Sequence, residues 1–166
     1  MTSVPDDFEE FASARATHLF RTAYLLAGDW HLAEDLVQTA LGNIYVAWGR
    51  VRKAENPVAY AQTVLLRTFL SHRRRRSSWE APSDTLPERA AGEPDPILRL
   101  TLLDALAQLS PRDRAIVVLR YWEDRSVQET ATVLGLREGV VRTQSSRALA
   151  RLRVLLGSDV LELAGR

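Results

Sequence analysis

Apolar residues recur at the spacing of an α-helix through the first part of the chain. Between Asp6 and Gly28 they predict a first amphipathic helix over residues 6–27, because acids suit a helix N-terminus and glycine suits the position after a helix. Asp29 can cap a second helix, which is expected to end near Gly49. The apolar positions of this second helix follow i, i+3, i+4, i+7 and are Leu41, Ile44, Tyr45 and Trp48.

Prolines mark the starts of three further helices, because proline fits the first helical position. Asn56 and Pro57 open a helix that is expected to run to the arginine cluster at residues 73–76. In the second half of the chain, Pro96 and Pro111 each follow a capping residue. No strand pattern, internal repeat or glycine-rich phosphate loop occurs in the sequence, so the fold class predicted is all-α.

Residues 126–153 predict a helix-turn-helix. Ser126 and Glu129 have the spacing of a capping box, and Gly135 can end the first helix because glycine enters the left-handed conformation without a Cβ clash. The second helix divides into an apolar side and a polar side. The apolar side carries Val141, Leu149, Leu152 and Leu156, and the polar side carries Arg142, Thr143, Ser146 and Arg147.

Positive charge is concentrated in two blocks. Residues 137–153 contain five arginines and one acid, on a helix long enough to enter a major groove, which indicates DNA as the partner. An arginine-rich solvated helix in a small bundle is the alternative for this segment. Residues 50–76 contain eight basic residues and one acid, so a second basic surface is expected there.

Between the two blocks, residues 77–98 contain four prolines, five acids and one arginine. Proline disfavours a helix and the low hydrophobicity disfavours a core, so this stretch is predicted to be a flexible acidic linker. A plain spacer and a functional acidic strand both remain open. The linker, assigned to residues 77–96, divides the chain into two small helical domains, 1–76 and 97–166, the second of which contains the helix-turn-helix.

Composition limits the classes of function. The 166 residues carry 22 Lys+Arg and 21 Asp+Glu, so a basic surface must come from segregated charge. Cysteine is absent, and no signal peptide or apolar run of the ~20 residues needed to span a membrane occurs, so a cytoplasmic protein without membrane insertion is expected. The three histidines are far apart and the adjacent carboxylates point in different directions on a helix. The sequence therefore predicts no catalytic residue, no metal, no cofactor and no enzymatic activity.

Four stretches give the chain a resemblance to extracytoplasmic-function (ECF) sigma factors, the two-domain class of bacterial RNA polymerase initiation subunits. They are AYLLAGDWHLAEDLVQ at residues 23–38, NPVAY at 56–60, LSPRDRAIVVLRYWED at 109–124 and the helix-turn-helix of 126–153. The resemblance implies core RNA polymerase, at its β′ clamp and β flap, and promoter DNA as partners. The function it implies is promoter-specific initiation with opening of the DNA, and members of the family often have an anti-sigma factor as an inhibitor.

The resemblance also implies three sets of site residues. Docking on the clamp coiled coil is expected from Asp35, Leu36 and Gln38. Recognition of the −10 element, with capture of a flipped base, is expected from Asn56, Tyr60, Thr63, Arg67, Ser71 and Arg73. Recognition of the −35 element is expected from Arg137, Arg142, Thr143, Gln144, Ser146 and Arg147.

The chain departs from the family pattern in both DNA-binding segments. Val140, Thr143 and Gln144 replace the threonine, serine and basic residue that are usual in the −35 helix, and His72 lies near the position where relatives often carry tryptophan or an acid. These departures bear on which promoter sequence the chain recognises more than on its role as a sigma factor.

Two other functions are compatible with a helix-turn-helix. A free-standing regulator would bind operator DNA and use residues 1–76 to sense a signal or dimerise, and a helical interaction protein would not bind DNA. The first domain separates these possibilities, because a second basic block beside an acidic docking face favours the sigma factor over a sensor.

Overall fold

The computed structural model describes residues 6–79 and 96–157, with side chains over 7–76 and 102–157. All regular structure within these ranges is helical, so the all-α prediction is confirmed. The chain divides into two compact units. Most of the predicted linker, from residue 80 to 95, lies outside the described residues.

Four helices form the first unit: α1 (Asp6–Ala27), α2 (Trp30–Val46), α3 (Trp48–Val51) and α4 (Pro57–Trp79). The predicted bounds of α1 are confirmed, and Gly28 follows it with φ 72°. Both predicted N-caps are formed, because the Asp29 side chain accepts from the His31 N–H and Asn56 Oδ1 accepts from the Ala59 N–H at 3.1 Å.

Two helix ends in the first unit differ from the prediction. The second helix stops at Val46, and the short α3 begins after Ala47, which allows both Trp48 and Val51 to be buried. The third predicted helix continues past Arg76 to Trp79, because the residues after the arginine cluster contain no helix breaker until Pro82.

The core of the first unit is built where α1, α2 and α4 pack together. Leu26, Ile44 and Phe69, one from each helix, are fully buried. At one end, the rings of Phe8 and Phe11 lie 5.4 and 5.1 Å from the ring of Trp48, so the N-terminal turn of α1 is held against α3.

The second unit contains α5 (Pro96–Ala107), α6 (Pro111–Val117), α7 (Val127–Leu134) and α8 (Glu138–Leu156). Ser110 caps α6 by accepting from the Asp113 N–H, with Pro111 at the first helical position as predicted. A π-helical turn over Val118–Trp122 continues α6, and the periodicity did not predict it. The last two residues of this turn, Tyr121 and Trp122, remain 48% and 42% exposed.

A buried arginine joins α6 to α5. Arg114 is only 4% exposed, and its Nε donates to the carbonyl of Leu106 while Nη2 donates to the carbonyl of Leu109 at 3.1 Å. The guanidinium therefore donates hydrogen bonds to carbonyls in the last turn of α5 and just after it, where helix carbonyls run out of i+4 amide partners.

Candidate nucleic-acid interface

The helix-turn-helix of the second unit is formed as its sequence predicts. Ser126 Oγ accepts from the Glu129 N–H at 3.0 Å, and Glu129 Oε2 accepts from the Ser126 N–H at 2.8 Å, which completes the capping box of α7. These hydrogen bonds lower the pKa of the Glu129 carboxyl. Gly135 ends α7 with φ 66° and ψ 35°, the left-handed conformation that the turn requires.

The two predicted faces of α8 are confirmed. Val141, Leu152 and Leu156 are buried and Leu149 is half-buried, and Val141 packs in one cluster with Ile116 of α6 and Ala131 of α7. The opposite face is exposed and carries Arg142, Thr143, Ser146 and Arg147. Packing of one face thus fixes which side chains the helix offers outward.

Individual side chains on the exposed face have different partners. Arg142 Nη2 lies 3.3 Å from Glu138 Oε2, and Thr143 Oγ1 donates to the Gly139 carbonyl at 3.0 Å. Arg137 is exposed at the N-cap position of α8, where its side chain makes no capping hydrogen bond. The periodicity missed the Glu138–Arg142 pair, although its i, i+4 spacing could have indicated it.

Gln144 differs from the rest of the predicted −35 set. It is half-buried at the edge of the packed face, and its Oε1 atom is shielded without a hydrogen-bond partner among the described residues. Its position in sequence, three residues after the buried Val141, places it between the two faces of α8.

In the first unit, the predicted docking residues separate into two environments. Asp35 and Gln38 are exposed on α2. Leu36 is 3% exposed, so little of its side chain is available to a partner. The reason is helical phase: Leu36 lies three residues after Ala33 and four before Ala40, and both of these are also buried.

A groove of about 430 Å³ runs between α2 and α4. Asp35 lies on the α2 side, whereas Arg67 and Ser71 lie on the α4 side, so the groove brings one predicted docking residue together with two predicted −10 residues. Leu36 lines it as well. Its other polar lining residues were not among the predicted site residues, and they are Thr39, Asn43, Thr68, His72 and Arg75.

The predicted −10 residues occupy α4 and its cap. Tyr60, Thr63, Arg67 and Ser71 follow at intervals of three and four residues and therefore share one side of the helix. Thr63 Oγ1 donates to the Ala59 carbonyl at 2.9 Å, and Ser71 Oγ accepts from Arg75 at 3.2 Å. Arg73 lies apart from this stripe, with its guanidinium 5.8 Å from the centre of the Phe69 ring.

His72 stands among positive charges beside this groove. Burial lowers the pKa of its imidazole, and the nearby Arg76, Arg73 and Arg75 lower it further, while Asp35 opposes them. Its Nε2 atom has no hydrogen-bond partner among the described residues. The imidazole therefore favours the neutral form on this basic part of α4.

Comparison with known proteins identifies both units. Residues 11–78 match the family model "Sigma-70 region 2", and residues 99–152 match "Sigma-70, region 4". RNA polymerase sigma-E factor of Streptomyces coelicolor is 38% identical over 149 residues, which cover 89% of this chain and 84% of that protein. Mycobacterium tuberculosis ECF RNA polymerase sigma factor SigL is 29% identical over 151 residues, covering 85% and 84%.

A solved structure has a similar fold over nearly the whole chain. The sigma factor RpoE of Bartonella quintana, crystallised with the anti-sigma factor NepR, matches with a TM-score of 0.74 and 26% identity, covering 92% of this chain and 98% of that one.

The capped helix-turn-helix, the basic α4 and these matches together define the class: the chain belongs to the sigma-70 family of RNA polymerase sigma factors. Within that family it is of the extracytoplasmic-function type. It binds core RNA polymerase and promoter DNA and directs promoter-specific initiation of transcription, as an initiation factor and not a classical enzyme. The free-standing regulator is set aside, because a sigma region rather than a sensor domain occupies residues 11–78.

Within residues 6–79 and 96–157, no helix has the length and apolar character needed to cross a membrane. The same described residues contain no group of three or more His, Cys, Asp or Glu side chains placed to hold a metal ion.

Proposed function

We propose that this sigma factor works through three surfaces: the exposed face of α8, the Tyr60 to Ser71 stripe of α4, and the acidic side of α2. In this assignment, residues 1–76 dock on the polymerase and open the −10 element, residues 97–166 bind the −35 element and the β flap, and residues 77–96 connect them. The observation that carries the proposal is the two-faced α8, which is packed on one side and offers arginines on the other.

Recognition of the −35 element is assigned to α8. In a helix-turn-helix the second helix lies in the major groove and its N-terminal residues contact base edges. Arg137, Arg142 and Thr143 lie in the first two turns or at the cap, and Ser146 and Arg147 follow on the exposed face. We include Gln144 only through its amide nitrogen, since its Oε1 atom is shielded.

The −10 element is assigned to α4 and the residues at its start. A freed single strand binds cations and aromatic faces, and a base out of the stack needs polar groups in a pocket. Tyr60 supplies an aromatic ring and Arg67 a cation on one side of the helix, with Thr63 between them. Asn56 acts through its cap, which fixes where the helix begins, and Arg73 supplies charge from a neighbouring face.

The docking surface is assigned to Asp35 and Gln38, with Leu36 supporting them from below. Two exposed polar side chains on α2 suit a polar rim, whereas the buried Leu36 belongs to the core of the first unit. The partner is the β′ clamp coiled coil. An anti-sigma factor is proposed as a further partner, by analogy with the Bartonella quintana complex, and the cytoplasm is the compartment where polymerase and promoter DNA meet.

The proposal is tested by run-off transcription with bacterial core RNA polymerase on a library of promoters that vary in both elements. The chain alone should bind duplex promoters weakly, and selection of one pair of elements should appear only with core enzyme, because two modest DNA surfaces on one assembled complex act as a bivalent ligand. Tight, sequence-specific binding by the isolated chain, with no response to core enzyme, would overturn it.

A further inference from the structure

The first turn of α8 carries an acid where a DNA-binding helix would be expected to avoid one. Glu138 is the single acidic residue of α8, and its side chain is 47% exposed. A carboxylate suits a helix N-terminus electrostatically. However, it also opposes the phosphates of a nearby duplex, so its presence on this face weakens binding to DNA in general.

Glu138 is paired with an arginine of the proposed −35 set. Its Oε2 atom lies 3.3 Å from Arg142 Nη2, at i, i+4 along one flank of the helix, and the Arg142 side chain is 65% exposed. Both groups lie toward the N-terminal end of α8, the end that reaches base edges in a helix-turn-helix complex. A carboxylate and a guanidinium therefore approach neighbouring base pairs together.

The chemistry of the major groove limits what such a carboxylate can accept. Guanine presents two acceptors, thymine presents one acceptor and a methyl group, and adenine presents an amino group beside the N7 acceptor. Only cytosine presents an amino donor without an adjacent acceptor on the same edge. An ionised glutamate, which accepts but does not donate, thus finds no donor on guanine or thymine, meets the N7 acceptor beside the adenine amino group, and favours cytosine.

We propose that Glu138 is a specificity-determining residue of this sigma factor, which selects a cytosine in the −35 element next to the base pair that Arg142 addresses. The proposal rests on the assignment of α8 to the −35 element. Glu138 also acts as a positioning residue, because the hydrogen bond that its carboxylate accepts from Arg142 directs the guanidinium along the flank of the helix before DNA binds.

The test uses holoenzyme and a library with all four bases at each −35 position. In Glu138→Gln the preference for cytosine at one position should fall about tenfold and move toward adenine, because an amide pairs bidentately with the adenine N6 and N7 atoms. In Glu138→Ala the preference should fall without a new one appearing. Combined with Arg142→Ala, either change should give a smaller further loss than it gives alone, since the two side chains act together.

A matched control separates specificity from charge. Asp104→Asn removes an exposed carboxylate from α5 and should leave the −35 profile unchanged. If Glu138→Gln raises affinity for every library member by the same factor, Glu138 is only a negative charge and the inference is overturned. If Arg142→Ala and Arg147→Ala also leave the −35 profile unchanged, the assignment of α8 itself fails, so the two failures are distinguishable.

Discussion

The guanidinium of Arg114 donates from Nε to the backbone carbonyl of Leu106 across 2.8 Å, between two residues that are both buried. This contact ties the start of α6 to the end of α5. A buried arginine is unusual because its charge must be removed from water, and here carbonyl groups replace the lost hydration. The unit that contains the helix-turn-helix is therefore held together in part by buried polar hydrogen bonds between α6 and the end of α5.

We predict that Arg114→Met destabilises the second unit by about 2 to 4 kcal/mol, because the buried carbonyls of Leu106 and Leu109 lose a charged donor while most of the side-chain volume is kept. Urea denaturation monitored by hydrogen exchange, which reports on each unit separately, measures this change in the free energy of unfolding. Arg112→Met, at an exposed position two residues earlier, serves as the control and should cost under about 0.5 kcal/mol. Equal effects of the two substitutions would show that the buried hydrogen bonds of Arg114 contribute nothing to the stability of the second unit.

Substitutions at the proposed docking residues should distinguish the loss of a polymerase contact from the loss of core packing. Asp35→Ala with Gln38→Ala is expected to weaken assembly with core polymerase and to leave the stability of the first unit within about 0.5 kcal/mol, because both side chains are exposed. Leu36→Ala should instead cost about 2 to 4 kcal/mol of stability, because it leaves a cavity in the core. Pull-down on core enzyme and thermal denaturation are the two measurements, with Glu10→Ala on α1 as an exposed-acid control. Unchanged pull-down of the double variant would contradict the assignment.

Replacement of Arg142 and replacement of Arg147 should have different effects on promoter binding. An arginine paired bidentately with guanine is worth roughly 1 to 3 kcal/mol of discrimination, so its loss flattens preference at one −35 position. Loss of a phosphate contact should weaken all sequences alike and reduce the salt slope by about 0.9. We expect the first behaviour from Arg142→Ala and measure both variants on a promoter library at several salt concentrations. Identical profiles for both would contradict separate roles.

The first unit should lose stability as the pH falls below the ordinary histidine value of 6.5. Burial and three neighbouring arginines hold the pKa of folded His72 below that value, so the unfolded chain binds more protons between the two pKa values. The contribution of His72 to the free energy of unfolding is then fully present above the unfolded pKa. It declines as the pH falls from that value toward the folded pKa. Denaturation at several pH values measures the slope. His72→Gln should flatten it, and a slope that persists unchanged in this variant would assign it to other groups.

Local signals predicted much of this fold because the elements concerned are governed by local chemistry. The bounds of α1, the caps at Asp29 and Asn56, and the left-handed Gly135 all depend on neighbouring residues in the chain. The break at Ala47 and the π-helical turn depend on packing against other helices, which a single period does not reveal.

Site residues were predicted less completely, for a related reason. Leu36 was assigned from its place in a motif, but its spacing to Ala33 and Ala40 already indicated burial. The groove between α2 and α4 combines residues about 30 positions apart in sequence, so no local pattern could join Asp35 to Ser71. Gln144 lies at the boundary between two faces, where helical phase alone does not decide exposure.

The shared groove has a consequence for inhibition. Asp35 of the proposed docking surface and Arg67 of the proposed −10 surface line one cavity. A single molecule seated there would compete with polymerase and with the promoter strand at once, so both affinities would fall along one titration curve with one half-saturation point. Regulation at this position needs no shape change in the protein, since simple occupancy removes two steps of initiation together.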